Sequence, residues 1–137
     1  MKNKIILKIS NIFRFGELNP KNQKIGLYYG KKLCRRTNSL FIHIPKAAGI
    51  SFQHALYNKE SSGHISIKSF LNYLGEETFN KVYKFTIVRD PYQRLISAYL
   101  YLRKGGRFAK IDLEYQKMIS EYENFEDFVL NFFLNKI

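Results

Sequence analysis

Residues 39–56, SLFIHIPKAAGISFQHAL, constrain the fold more than any other stretch of the chain. Leu40, Phe41, Ile42 and Ile44 form a short, nearly continuous apolar run, the pattern of a strand buried on both faces of a parallel sheet. Pro45 ends it. Lys46, Ala47, Ala48 and Gly49 then make a turn of small residues with one ammonium, and Ser51 opens a helical pattern with Phe52, Ala55 and Leu56 on one side. A strand, a tight loop and a helix start in this order leave the first N–H groups of the helix without intrahelical partners and aimed into the loop. The helix dipole favours negative charge at the same point, so the unit suits an anion. A plain strand-to-helix turn with an exposed lysine is the alternative that these residues leave open. The nucleoside-triphosphatase signature, GxxxxGK followed by Ser or Thr, is a poor match, because its lysine follows the glycine whereas Lys46 precedes Gly49.

The segment FTIVRDPYQRLISAY repeats this geometry. Residues 83–88 read as a second buried strand that ends in Arg89 and Asp90. Asp90 as N-cap and Pro91 at the first helical position start a helix through Leu95, Ile96, Tyr99, Leu100 and Leu102, which Gly105 and Gly106 terminate. Arg89 leaves the carboxyl end of its strand and Ser97 lies about two turns into the helix, so a guanidinium fork and a hydroxyl can converge on one phosphate. Two anion sites at the ends of two parallel strands suit a nucleoside with phosphates at both ends.

The remaining chain supports these two units. In residues 1–15, Ile5, Ile6, Ile9, Ile12 and Phe13 recur at helical spacing among Lys2, Lys4, Lys8 and Arg14, which predicts a basic amphipathic helix able to rest on an anionic membrane surface or on its own domain. Residues 16–38, with Asn19, Pro20, Gly26 and Gly30, read as an irregular basic lead-in. Ser61, Ser62 and Gly63 make a loop that presents His64, followed by a short helix stopped by Gly75 and one or two further helical turns. Residues 112–137 read as two helices, the second capped by Asn124 with Phe125, Phe128, Val129, Phe132 and Phe133 as an apolar face. Two strands are a thin sheet and that last helix has little in view to pack on, so a C-terminal portion reads as missing.

Composition narrows the class. With 137 residues and 45% hydrophobic content the chain fits one domain and argues against disorder. Its 23 basic residues against 11 acidic ones, a formal +12, favour anionic partners of some kind. One cysteine, Cys34, allows no internal disulfide, and it makes no metal-ligand cluster with three scattered histidines. No apolar run reaches membrane-spanning length and Lys8 interrupts any signal-peptide core, so the expected location is cytoplasmic, with peripheral membrane contact through residues 1–15. The aromatics sit at helical core positions instead of alternating with Lys or Arg along exposed strands, which argues against a nucleic-acid partner, and no obligate protein partner is inferred.

Together HIPKAAGIS and VRDPYQRLISAY resemble the 5'-phosphosulfate loop and the 3'-phosphate motif of sulfotransferases that use 3'-phosphoadenosine-5'-phosphosulfate (PAPS), specifically the carbohydrate-type family 2. The resemblance runs from about Leu40 to Leu102 and extends toward Phe133. It implies an α/β, P-loop-like, three-layer fold, a parallel sheet flanked by helices and incomplete at its C-terminal end, with residues 1–38 as lead-in and 39–137 as a partial nucleotide-binding domain. By resemblance Lys46 contacts the leaving phosphate oxygen, the amides of Ala47, Ala48, Gly49, Ile50 and Ser51 wrap the 5'-phosphate, and Arg89 and Ser97 hold the 3'-phosphate. His64, in GHIS, resembles the catalytic base; a surface-loop histidine is the other reading of that residue. Ile50 and Ala47 stand where the family commonly has threonine, which removes two hydroxyls but no amide. The implied reaction transfers a sulfuryl group from PAPS, without a metal, to a hydroxyl of a carbohydrate or glycolipid. The alternative is a truncated, inactive remnant that binds PAPS, its desulfated product or an acidic glycan. His43 reads as a satisfied core histidine, His54 as a helix-surface residue, Arg94 as a salt-bridge former, and Tyr99 and Tyr101 as packing, with Tyr101 also able to face the nucleotide.

Overall fold

A computed structural model describes residues 20–58 and 62–134, which fall into two compact units, one within Phe13–Arg89 and one within Asp90–Ile137. The helix expected over residues 1–15, and the membrane contact expected of it, lie outside the described residues.

The first unit is built on two parallel strands, β1 (Ser39–Ile42) and β2 (Tyr83–Thr86), paired Ser39 to Tyr83 through Ile42 to Thr86. Each is shorter than its apolar run, because the ladder closes where the Thr86 hydroxyl donates to the Ile42 carbonyl at 2.7 Å. Alternation along β1 sends its side chains to opposite faces. Leu40 packs with Cys34, Ile65, Phe70 and Val82, while Phe41 packs with Leu33 and Tyr57 and against Phe52, Phe85 and Ile87. Both faces of β1 are therefore covered, as its nearly continuous apolar pattern predicts. In contrast, β2 is not the buried strand expected: Tyr83, Thr86 and Val88 are exposed and Lys84 and Phe85 only half-buried, because among the described residues β2 pairs on one side alone. Burial pushes the Cys34 thiol above its ordinary pKa, which keeps it protonated within this core.

The covering elements are α1 (Pro20–Thr37), α2 (Gly49–Tyr57), α3 (Ile67–Leu74) and α4 (Glu76–Lys81). The first of these corrects the sequence reading: residues 20–37 are not irregular but an 18-residue helix. Pro20 stands at its start, where proline is tolerated, and the glycines that looked like breakers are its contact points. A Cβ on Gly26 would lie 2.3 Å from the Ser62 carbonyl oxygen, and one on Gly30 would lie 2.2 Å from the Phe70 ring. Each glycine costs a helix about 1 kcal/mol relative to alanine, and close packing of α1 on the 62–70 segment offsets it. Lys21, Lys24, Lys32, Arg35 and Arg36 are exposed. Asn38 ends α1 in the left-handed region, donating its N–H to the Cys34 carbonyl at 2.8 Å and accepting from Tyr83 N at 3.0 Å, so helix end and strand start share one residue. Ser66 caps α3 by accepting from Ser69 N at 3.1 Å, and Gly75 separates α3 from α4.

The second unit comprises α5 (Pro91–Arg103), α6 (Lys110–Ser120), α7 (Phe125–Phe128) and a π-helical continuation, Val129–Leu134. Its caps are those written in the sequence: Asp90 Oδ1 accepts from Gln93 N, and Asn124 Oδ1 accepts from Asp127 N, both at 2.9 Å. Within the unit the terminal aromatic stripe finds partners for Phe125, Phe128, Val129 and Phe132. Phe128 and Phe132 stack with centroids 5.1 Å apart and pack with Tyr99, Leu102 and Ile119. Tyr99 is thus core, as expected. Tyr101 faces Asp112: burial first, then that carboxylate, raise its phenol above the ordinary 10.0.

Two outcomes follow from this packing. Gly26→Ala lowers unfolding stability by about 1–3 kcal/mol, since the methyl meets a backbone oxygen that cannot rotate away; a raised denaturation midpoint would contradict the packing described. The neutral Tyr101 phenol is the form that folding favours, so its contribution is complete below pH 10 and is lost as pH rises through the raised folded value. Alkaline ultraviolet titration should show a late-ionising tyrosine that disappears in Tyr101→Phe.

Candidate functional site

Parallel register sets the carboxyl ends of β1 and β2 side by side, which is the edge where open α/β sheets bind ligands. From β1 emerges a turn over residues 45–48 that runs directly into α2. Lys46 (φ 63°) and Ala48 (φ 59°) both occupy the left-handed region, on either side of the buried Ala47. Without glycine's freedom each such residue costs about 1–2 kcal/mol, so the surrounding contacts hold a strained loop. The first bond of α2 runs from Phe52 N to Ala48 O at 3.1 Å, which places the N–H groups of Gly49, Ile50 and Ser51 ahead of the helical ladder. Ala48 has no side-chain oxygen to cap them, a lack it shares with Gly75 before α4 and Ala109 before α6, whereas Ser66, Asp90 and Asn124 cap their helices. Ala48, Ile50 and Ser51 are exposed, Lys46 is half-buried and Gly49 is buried.

Arg89 joins this loop from the second strand. Its Nη1 reaches the Lys46 carbonyl at 3.5 Å, so Arg89 and the first loop, 43 residues apart in sequence, meet in space. Ser97 is carried by α5 in the other unit, half-buried and about two turns past the Asp90 cap. Arg94 is half-buried on the same helix.

His64 is half-buried, and it is anchored more firmly than the sequence indicated. Two residues before it, the buried Ser62 hydroxyl accepts a hydrogen bond at 3.1 Å from Nε2 of Gln53, a fully buried residue of α2. One residue after it, Ile65 is sealed into the core that includes Leu40 and Phe70. The His64 ring stands edge-on to His43, with centroids 4.3 Å apart and planes at 69°. His43 is 3% exposed and stacks on Phe41 at 6.0 Å, but its buried Nδ1 makes no hydrogen bond among the described residues, so it is a core histidine without being the fully satisfied one expected. It also touches the loop: a Cβ on Gly49 would fall 2.1 Å from its Cδ2 and 2.3 Å from its Nε2. His54 is exposed on α2, as expected. Sequence reasoning missed the links of His43 to both Gly49 and His64; the available signal was strand alternation, which puts His43 on the face of Phe41.

These features define the class as an α/β protein with an exposed helix start at the carboxyl edge of a parallel sheet, the edge where such sheets bind ligands. Residues 32–134 match the model of the sulfotransferase family, and the chain belongs to that family, as a member of family 2. Membership implies transfer of a sulfuryl group from a sulfate donor to an acceptor. No curated protein and no solved structure matches the chain.

Removing the acceptor hydroxyl in Ser62→Ala takes a hydrogen bond from a fully buried amide and should cost about 1–3 kcal/mol. The double variant Gln53→Leu/Ser62→Ala should cost less than the two single changes summed, measured by denaturant unfolding. Strict additivity would show that the 3.1 Å contact contributes nothing.

Proposed function

We propose that the chain transfers the sulfuryl group of PAPS to a hydroxyl of a carbohydrate-type acceptor, on a nucleotide-binding fold of the P-loop-like, three-layer kind. The observation that supports this reading is the approach of Arg89 Nη1 to the Lys46 carbonyl at 3.5 Å, at the carboxyl edge of the two paired strands. The amides of residues 47–51 take the 5'-phosphate at the uncapped start of α2, where backbone dipoles and the absence of a competing side-chain cap both favour an anion. Arg89 takes the 3'-phosphate by a forked pair of donors. The exposed Ile50 and buried Ala47 supply no hydroxyl, so the backbone does this work alone at those positions.

The acceptor oxygen attacks sulfur while the imidazole of His64 takes its proton. The bond from sulfur to the bridging oxygen breaks, its electron pair stays on the departing 5'-phosphate, and the Lys46 ammonium offsets the charge that grows there. Imidazole is the side chain that most readily exchanges a proton at neutral pH, which suits it to that role. Positioning and electrostatics supply the acceleration, as in phosphoryl transfer.

Calorimetric titration with 3'-phosphoadenosine-5'-phosphate, the product nucleotide, tests the reading without knowledge of the acceptor. Wild type should bind in the micromolar range, and Lys46→Ala and Arg89→Ala should each lose roughly ten-fold, about 1.4 kcal/mol. A folded wild type that does not bind, or two variants that bind as well as it does, would overturn the site. His64→Ala should keep product binding and reduce sulfation of an acceptor by roughly 10²–10⁴-fold. Product binding without sulfation of any carbohydrate by wild type would favour the inactive-remnant reading.

A further inference from the structure

We infer that His43 is a positioning residue: its buried imidazole, wedged between Gly49 of the anion loop and the ring of His64, couples occupancy of the loop to the orientation of His64. The inference rests on the nucleotide-binding reading of the loop and adds to it a residue that acts through another.

Three of the contacts of His43 bear on the coupling. Phe41, two residues earlier on the same face of β1, stacks on it with planes 26° apart. His64 meets it edge-on at 4.3 Å. Gly49 meets it so closely that any side chain there would overlap the imidazole, as the 2.1 Å and 2.3 Å approaches of a Cβ show. Gly49 is the first residue of α2, and its N–H is one of those that precede the helical ladder. An anion drawn to these amides therefore presses or releases the same backbone that the His43 ring rests on.

Packing alone does not explain the choice of residue. A phenylalanine would fill an apolar slot beside Phe41 without the desolvation cost that a buried imidazole carries. The ring is also not at the edge of the core but between the two elements that the reaction needs. Packed rings transmit displacement because interiors have little slack. A second tie runs parallel to the first: Gln53, one turn along α2, holds Ser62 two residues before His64. Movement of the start of α2 thus reaches the His64 loop through a ring contact on one side and through a hydrogen bond on the other.

The test uses nuclear magnetic resonance of the full chain, with ¹⁵N-labelled backbone and ¹³C-labelled histidine rings, titrated with 3'-phosphoadenosine-5'-phosphate. The Gly49 amide reports binding and the His64 ring reports coupling, so the two readings fail separately. In wild type both signals should shift together on saturation. In His43→Phe the Gly49 amide should still shift at similar nucleotide concentration, while the His64 ring shift should fall roughly two-fold or more. His43→Asn, which keeps a polar group but loses the ring, serves as a second variant and should show the same loss. A Gly49 shift in wild type without a His64 shift would overturn the coupling, as would an undiminished His64 shift in folded His43 variants. No Gly49 shift in wild type would overturn the nucleotide reading, and the coupling with it.

Discussion

The pairing of two four-residue strands, Ser39–Ile42 with Tyr83–Thr86, is the constraint on which the functional edge depends. Parallel strands cannot be joined by a tight hairpin, so the intervening chain must cross over, and here it does so with α2, α3 and α4. The register then decides which residues leave the sheet together. A slip of one residue would turn Leu40 and Phe41 to each other's faces and break two packed clusters at once. Because both faces are committed, the register that brings Arg89 to the Lys46 carbonyl is specified by hydrophobic packing well away from the charged groups themselves.

Around that sheet the backbone is approached closely at three glycines, and each approach lodges a different functional support. Gly26 admits the Ser62 carbonyl and the Ile65 side chain, Gly30 admits the Phe70 ring, and Gly49 admits the His43 imidazole. The first two seat the segment that carries His64 against α1. The third seats the start of α2 against the histidine pair. Lys46 and Ala48 run the opposite way, since they accept left-handed backbone conformations without glycine's freedom. Strain in the loop and tight packing beneath it are two sides of one arrangement: the second holds the first in place.

Much of this was legible locally. The apolar run before Pro45, the Asp90–Pro91 helix start, the Asn124 cap and the Gly75 stop all depend on residues within a few positions of each other, and each forms where its chemistry indicates. The same local logic misread residues 20–37, because glycine, proline and asparagine usually punctuate structure. There the close contacts with Ser62 and Phe70 outweigh the intrinsic cost of two glycines in a helix. The pairing of Tyr101 with Asp112, eleven residues on, was likewise not legible in the sequence. The anchoring of His64 was invisible for a related reason: Gln53 and Ser62 carry no motif, and only the fold brings them within 3.1 Å.

By itself the sequence determined the kind of chemistry: two strand–loop–helix units in order, a lysine in one loop, an arginine at the head of the other, and membership of the sulfotransferase family over residues 32–134. These are properties of neighbouring residues, for which local periodicity and cap chemistry are sufficient. Tertiary structure alone decided that Arg89 meets the first loop, that α1 is a helix, and that His43 stands between Gly49 and His64. Those are contacts between distant segments, and their energy comes from burying both faces of β1, a term that no short window of sequence contains.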